Sequence, residues 1–165
     1  MNKQSIIQEL DESNITNLEP LKSEIQSLKS IKDILYNANI SVFQSSEINH
    51  NERFKFLNKL NRFAVEANED FCIAHNLTLT IKVAKELGKL KNLIRDSHKS
   101  IELWKRVLQE NLAINGLIFS YTDLSLLYCD NKLYNLSLTY LKKGESLLSD
   151  CEDDYFPYIK RNACA

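Results

Sequence analysis

Apolar residues along much of this chain fall at the three- and four-residue steps of an α-helix. From Leu18 to Val42, the positions Leu18, Leu21, Ile25, Leu28, Lys32 and Leu35 alternate those two spacings, and Ile31 and Ile34 widen the stripe. Lys32 interrupts a strict heptad seam, which favours a packed hairpin or bundle over a long coiled coil. Ahead of it, Ile6, Ile7 and Leu10 suggest a short helix, and Asn14 to Asn17 a turn and cap, with Pro20 tolerated in a first turn.

Phe43 to Asn51 is polar and predicts a loop, with Asn51 and Glu52 resembling a helix start. Phe54, Leu57, Leu60, Ala64, Ala67 and Phe71 mark the buried face of the next helix, broadened by Phe56 and Phe63. A further stripe, Ile73, Leu77, Ile81, Ala84 and Leu87, ends at Gly88, a suitable helix stop. The join near Asn68 to Asp70 reads either as a break or as the middle of one long helix. Leu90 to Leu112 carries another helical pattern, and Asn115-Gly116 predicts a connection between helices. Ile118 to Cys129 and Tyr134 to Ser149 follow as two short helices joined by Asp130 to Leu133.

Composition agrees with this reading. Only three glycines and two prolines stand among 165 residues. Barrels, sandwiches and dinucleotide-binding folds use glycine at turns, bulges and phosphate loops, and this chain has too little for any of them. Twenty-five Leu, 15 Ile and 44% hydrophobic residues supply a core. The expected fold class is therefore all-α, built of antiparallel helix pairs. Net charge is −1, which implies no polyelectrolyte partner. The four cysteines show no C-x-x-C spacing, no leader pattern opens the chain, and no apolar run approaches the ~18 residues of a membrane span. A cytoplasmic protein with reduced thiols and no membrane association is expected.

A specific pattern occurs between Leu117 and Cys151: Tyr121, Leu124, Ser125, Tyr128, Tyr134, Ser137, Leu138, Leu141 and Gly144. Small residues at Ser125 and Ser137 allow two helices to cross closely there, and Gly144 leaves room for the helix of a following repeat. This pattern resembles the tetratricopeptide repeat, a helix–turn–helix of 34 residues, over about residues 118–151. Ser stands at two positions where that family has Gly or Ala, and its late Pro is absent. A degenerate repeat precedes it, using Ser100, Ile101, Trp104 and Val107 in its second helix. The resemblance implies an N-terminal helical bundle segment (residues 1–70) followed by a tetratricopeptide-like segment (71–165), together one continuous unit. It also implies a protein-interaction role of the adaptor or chaperone-like kind.

Candidate chemistry is sparse. His50, His75 and His98 have no Cys or carboxylate at ligand spacing, so no metal is expected. No phosphate-loop, nucleophile-elbow or H-E-x-x-H motif occurs, and no cofactor or catalytic residue is assigned. Between Lys82 and Glu110 eight cations face four anions, and Lys91, Arg95 and Lys99 at i, i+4, i+8 would line one helical face. That run reads either as a solvated face or as a basic groove for an acidic peptide; nucleic acid is not expected, because the domain is not basic overall. Tyr121, Tyr128 and Tyr134 are accounted for by packing within the repeat. Tyr155, Phe156 and Tyr158 follow an acidic run and form either a capping layer or an apolar patch for a partner. The expected function is non-enzymatic capture of a partner's peptide or helix, with Lys91, Arg95, Lys99, Tyr121 and Asn131 as partner-facing residues. A regulatory peptide sensor, or a structural subunit forming homo- or hetero-oligomers through its N-terminal helices, stands as the alternative.

Overall fold

The computed structural model describes residues 3–12, 30–46, 48–110 and 112–148. Among them are seven α-helices and no strand: α1 (Lys3–Glu12), α2 (Ile31–Gln44), α3 (His50–Glu66), α4 (Asp70–Glu86), α5 (Leu93–Arg106), α6 (Ala113–Asp130) and α7 (Tyr134–Glu145). The all-α expectation is met. The first part of the Leu18 stripe, the Asn14–Asn17 cap, and Tyr155, Phe156 and Tyr158 lie outside the described residues.

Local chemistry sets most of the helix ends. Ser30 caps α2, its Oγ accepting from the Asp33 amide, and Asn49 caps α3, its Oδ1 accepting from the Asn51 and Glu52 amides. The cap of α3 is thus Asn49, two residues earlier than Asn51, and the helix begins at His50. The Arg53 guanidinium donates to the carbonyls of Ser45 and Ile48 at 2.6 and 3.1 Å, tying the preceding loop to α3.

Three helices close with the same paired hydrogen bonds and a left-handed residue just past the end. After α3, Asn68 (φ 56°) donates to Val65 O and Glu69 to Ala64 O; after α4, Gly88 (φ 67°) donates to Lys85 O and Lys89 to Ala84 O. After α6, Lys132 (φ 61°) donates to Cys129 O and Leu133 to Tyr128 O. The Asn68 motif divides α3 from α4, so the long continuous helix is not formed. Gly88 stops α4 as expected.

The helices form two compact units, Met1–Lys89 and Leu90–Ala165. In the first, α4 packs on both α2 and α3. Lys32 of α2 sits over the Phe71 ring, and Asn39 of α2 meets Asn76 of α4, so these two helices run in the same direction. Leu57 of α3 meets Asn76, and His50 meets Glu86, so α3 runs the opposite way. α4 is buried almost all round, from Phe71 to Ala84, because it sits between the other two. Phe56, Leu57, Leu60 and Ala64 face inward from α3, while Phe54 is half-buried under the Lys89 ammonium. Ile6 of α1 is also fully buried.

The second unit is α5, α6 and α7. Ser100 meets Ser120 at 3.1 Å and His98 meets Tyr128 at 2.9 Å, which sets α5 against α6 in opposite directions. Ser125 meets Ser137 at 3.1 Å and Tyr121 lies against Gly144, which does the same for α6 and α7.

The expected break at Asn115-Gly116 is overturned. Both residues lie inside α6, which begins at Ala113 directly after Leu112 in the left-handed region (φ 68°). Gly116 is in the helix because the buried Trp104 indole lies against its backbone; a Cβ there would overlap the ring. α5 is correspondingly shorter than Leu90 to Leu112 and ends at Arg106. Gly144 also differs from expectation: the space beside it is filled by α6, with Tyr121 Cβ 3.6 Å from where its Cβ would stand.

Candidate functional site

The five residues expected to face a partner are not brought together. Lys91 is exposed but precedes α5, which begins at Leu93 after Asn92 adopts a left-handed φ of 71°. It therefore cannot share a helical face with Arg95 and Lys99; only those two, four residues apart on α5, do so. Arg95 donates to the carboxylate of its neighbour Asp96 at 3.2 and 3.3 Å, and Lys99 is exposed. Tyr121 is buried, packed into the α6–α7 contact. Asn131 caps its own helix, its Nδ2 donating to Leu127 O at 2.7 Å. Lys82, Lys85 and Lys89 of the basic run belong to the first unit, and Lys91 onward to the second.

The second unit instead assembles an aromatic cluster that the sequence spacing did not reveal. Tyr140 of α7 stacks on Tyr128 of α6 at a centroid distance of 5.5 Å and approaches His98 of α5 edge-on at 5.5 Å. Tyr121 lies 6.1 Å away. The Lys143 ammonium sits over the Tyr140 ring at 4.5 Å. Burial, with the neighbouring Tyr140, pushes the Tyr128 phenol above its ordinary value. On the same unit, Lys105 donates to Glu102 at 2.8 Å, and that hydrogen bond holds the Glu102 carboxyl below its usual range and the Lys105 ammonium above its own. The cluster joins three helices and is rich in phenol and imidazole, but His98 and Tyr128 already satisfy each other and Lys105 is paired. It works as the polar seam of the unit.

The outer side of α7 is different. Of this helix only Gly144 is buried. Ser137, Tyr140 and Gly144, spaced i, i+3, i+7, face α6 and α5. Tyr134, Leu138 and Leu141, spaced i, i+4, i+7, form a second apolar stripe about a quarter-turn away. Tyr134 is 63% exposed and Leu138 51% exposed. Leu133 and Leu136 add further exposed apolar surface, around an open hollow of about 270 Å³ at Lys132–Leu136. Lys142 and Lys143 in the last turn give the far end a positive charge. Two of the nine repeat positions, Tyr134 and Leu138, are thus outside the packing of the described helices, while Tyr121, Leu124, Ser125, Tyr128 and Gly144 are buried. The signal was present in the sequence as a helix carrying two apolar stripes rather than one.

Among the described residues no group of His, Cys, Asp and Glu is placed to hold a metal ion, and no helix is long and apolar enough to cross a membrane. Cys72 is buried and Cys129 exposed, both as free thiols. Compared with known proteins, the chain matches no family model, no curated sequence and no solved structure.

Proposed function

We propose that this protein is a non-enzymatic interaction module that captures a peptide or helix of a partner protein, as an adaptor or chaperone-like protein does. One observation carries the reading: the stripe Tyr134, Leu138 and Leu141 on a helix whose other face is already packed. An exposed apolar stripe at helical spacing is the complement of an amphipathic segment, which supplies its own anchors at i, i+3, i+4 and i+7. Tyr134 suits such a surface, having a large apolar ring and a hydroxyl that stays wet. The close Ser125–Ser137 crossing supports the resemblance of residues 118–151 to a tetratricopeptide repeat, a scaffold that stacks further helices on such a face. Arg95, Lys99, Lys142 and Lys143 are exposed cations on this unit, and they favour a partner segment with acidic flanks.

The test is affinity capture from a lysate followed by mass spectrometry, with the native chain beside two variants. Tyr134→Asp/Leu138→Asp should lose the captured partner while far-UV circular dichroism stays unchanged. Lys91→Glu/Arg95→Glu/Lys99→Glu should keep the partner and weaken its retention at low salt only. Undiminished capture by the first variant refutes the α7 stripe as the docking surface.

A further inference from the structure

The exposed face of α7 is complementary to itself about Leu138. Tyr134 and Lys142 stand four residues to either side of Leu138, and Lys132 and Glu145 stand six before and seven after it. Tyr134, Leu138, Leu141 and Glu145, at i, i+4, i+7 and i+11, lie on one side of the helix, with Lys142 at its flank. Leu141 is half-buried and the others, with Lys132 and Lys142, are exposed. A second α7 laid antiparallel across Leu138 brings Tyr134 to Lys142 and Lys132 to Glu145, each pair twice because the contact is isologous. The chain already sets ammonium groups over aromatic rings, Lys89 on Phe54 at 4.0 Å and Lys143 on Tyr140 at 4.5 Å. Glu145 also reaches the start of the second α7, where Leu133 supplies no side-chain cap to the helix dipole. A parallel pair would instead set Lys142 beside Lys142 and Glu145 beside Glu145.

We propose that the α7 stripe is covered by α7 of a second copy of this chain, antiparallel about a two-fold axis at Leu138. Leu138 and Leu141 form the dry centre, and the Tyr134–Lys142 and Lys132–Glu145 pairs close its two ends. The face is about 18 Å long at 1.5 Å per residue, too short to reach the roughly 1,200 Å² of a standard interface, so the dimer is weak and exchanges freely. This deepens the interaction reading and rests on it: the second copy covers the stripe at high concentration and leaves it open at low concentration, so self-association competes with capture of a partner protein.

Sedimentation equilibrium of the full chain, from micromolar to near-millimolar concentration, tests this. The native chain should pass from monomer to dimer across that range, and Leu138→Asp should stay monomeric with unchanged far-UV circular dichroism. Lys132→Glu and Glu145→Lys, each alone, set like charges together and should weaken dimerisation several-fold. An equimolar mixture of those two variants should recover the native affinity, because both end contacts of the heterodimer then join opposite charges. Within one chain the two positions lie about 20 Å apart along α7, so the recovery has no intramolecular source. A native chain that is monomeric at every concentration, a dimer that Leu138→Asp leaves intact, or a mixture no tighter than its components overturns the proposal. The capture assay separates the two readings. Leu138-dependent capture by a chain that never dimerises keeps the interaction role and overturns the second copy. A dimer with recovery in the mixture but no Leu138-dependent capture keeps the dimer and refutes the capture of a partner protein.

Discussion

Individual positions in this protein are decided by what lies beside them rather than by their propensity. Gly116 and Gly144 both sit inside helices, where glycine is about 1 kcal/mol worse than alanine. They differ in surroundings. A methyl at Gly116 would enter the indole of buried Trp104, whereas one at Gly144 would rest in ordinary contact with Tyr121 Cβ at 3.6 Å. Gly116→Ala should therefore destabilise the protein by about 1–3 kcal/mol through overpacking, against its helix propensity. Gly144→Ala should be neutral or stabilising by up to about 1 kcal/mol. Urea denaturation followed by circular dichroism checks both, and a stable Gly116→Ala would remove the proposed packing role.

His75 is the other residue with a sharp expectation. Burial, then the Lys82 ammonium, lowers its pKa from 6.5 to about 4, and its ring packs 4.7 Å from Tyr36. The folded state holds the neutral imidazole, so between those two values the unfolded chain binds more protons. Its contribution to stability is whole above pH 6.5 and is lost as pH falls toward 4, by an amount on the order of 3 kcal/mol. Measured as urea unfolding free energy across this window, His75→Gln should show a shallower pH dependence than the native chain.

At the scale of elements, the first unit is aligned by a buried amide pair. Asn76 of α4 donates to Asn39 Oδ1 of α2 at 2.7 Å and to Leu57 O of α3 at 2.8 Å, and accepts from Thr80 at 3.3 Å. One side chain thus sets the register of three helices. Removing it leaves the Leu57 carbonyl and the Asn39 amide buried without that donor, a loss of about 1–3 kcal/mol. Asn76→Leu should show that loss, and Asn39→Leu/Asn76→Leu should recover part of it, since two apolar residues leave no amide pair to satisfy. A double-mutant cycle reads the coupling. The helix ends follow a related economy: with so little glycine, the chain places Asn68 and Lys132 at left-handed positions that usually take Gly.

On the scale of the whole molecule, each of the two units carries its own core, and among the described helices α7 differs in what it buries. The outer face of α7 leaves Tyr134 and Leu138 exposed where every other helix from α2 to α6 buries several apolar residues. A surface used for docking is not needed for folding. Tyr134→Ser/Leu138→Ser should accordingly change the unfolding free energy by no more than about 0.5 kcal/mol while lowering partner capture. A large destabilisation would instead assign the stripe to the core. The all-α class, the Gly88 stop and the Ser125–Ser137 crossing were legible in the sequence, because periodicity, caps and small residues at helical spacing act over one or two turns. Tertiary structure alone decided that Gly116 continues a helix, that Tyr121 is buried, that Lys91 stands off the face of Arg95 and Lys99, and that α7 keeps an open stripe. Apart from Lys91, which the left-handed Asn92 holds outside α5, each of those depends on which neighbour, distant in sequence, meets a given side of a helix, and a stripe of apolar residues by itself states only that something must cover it.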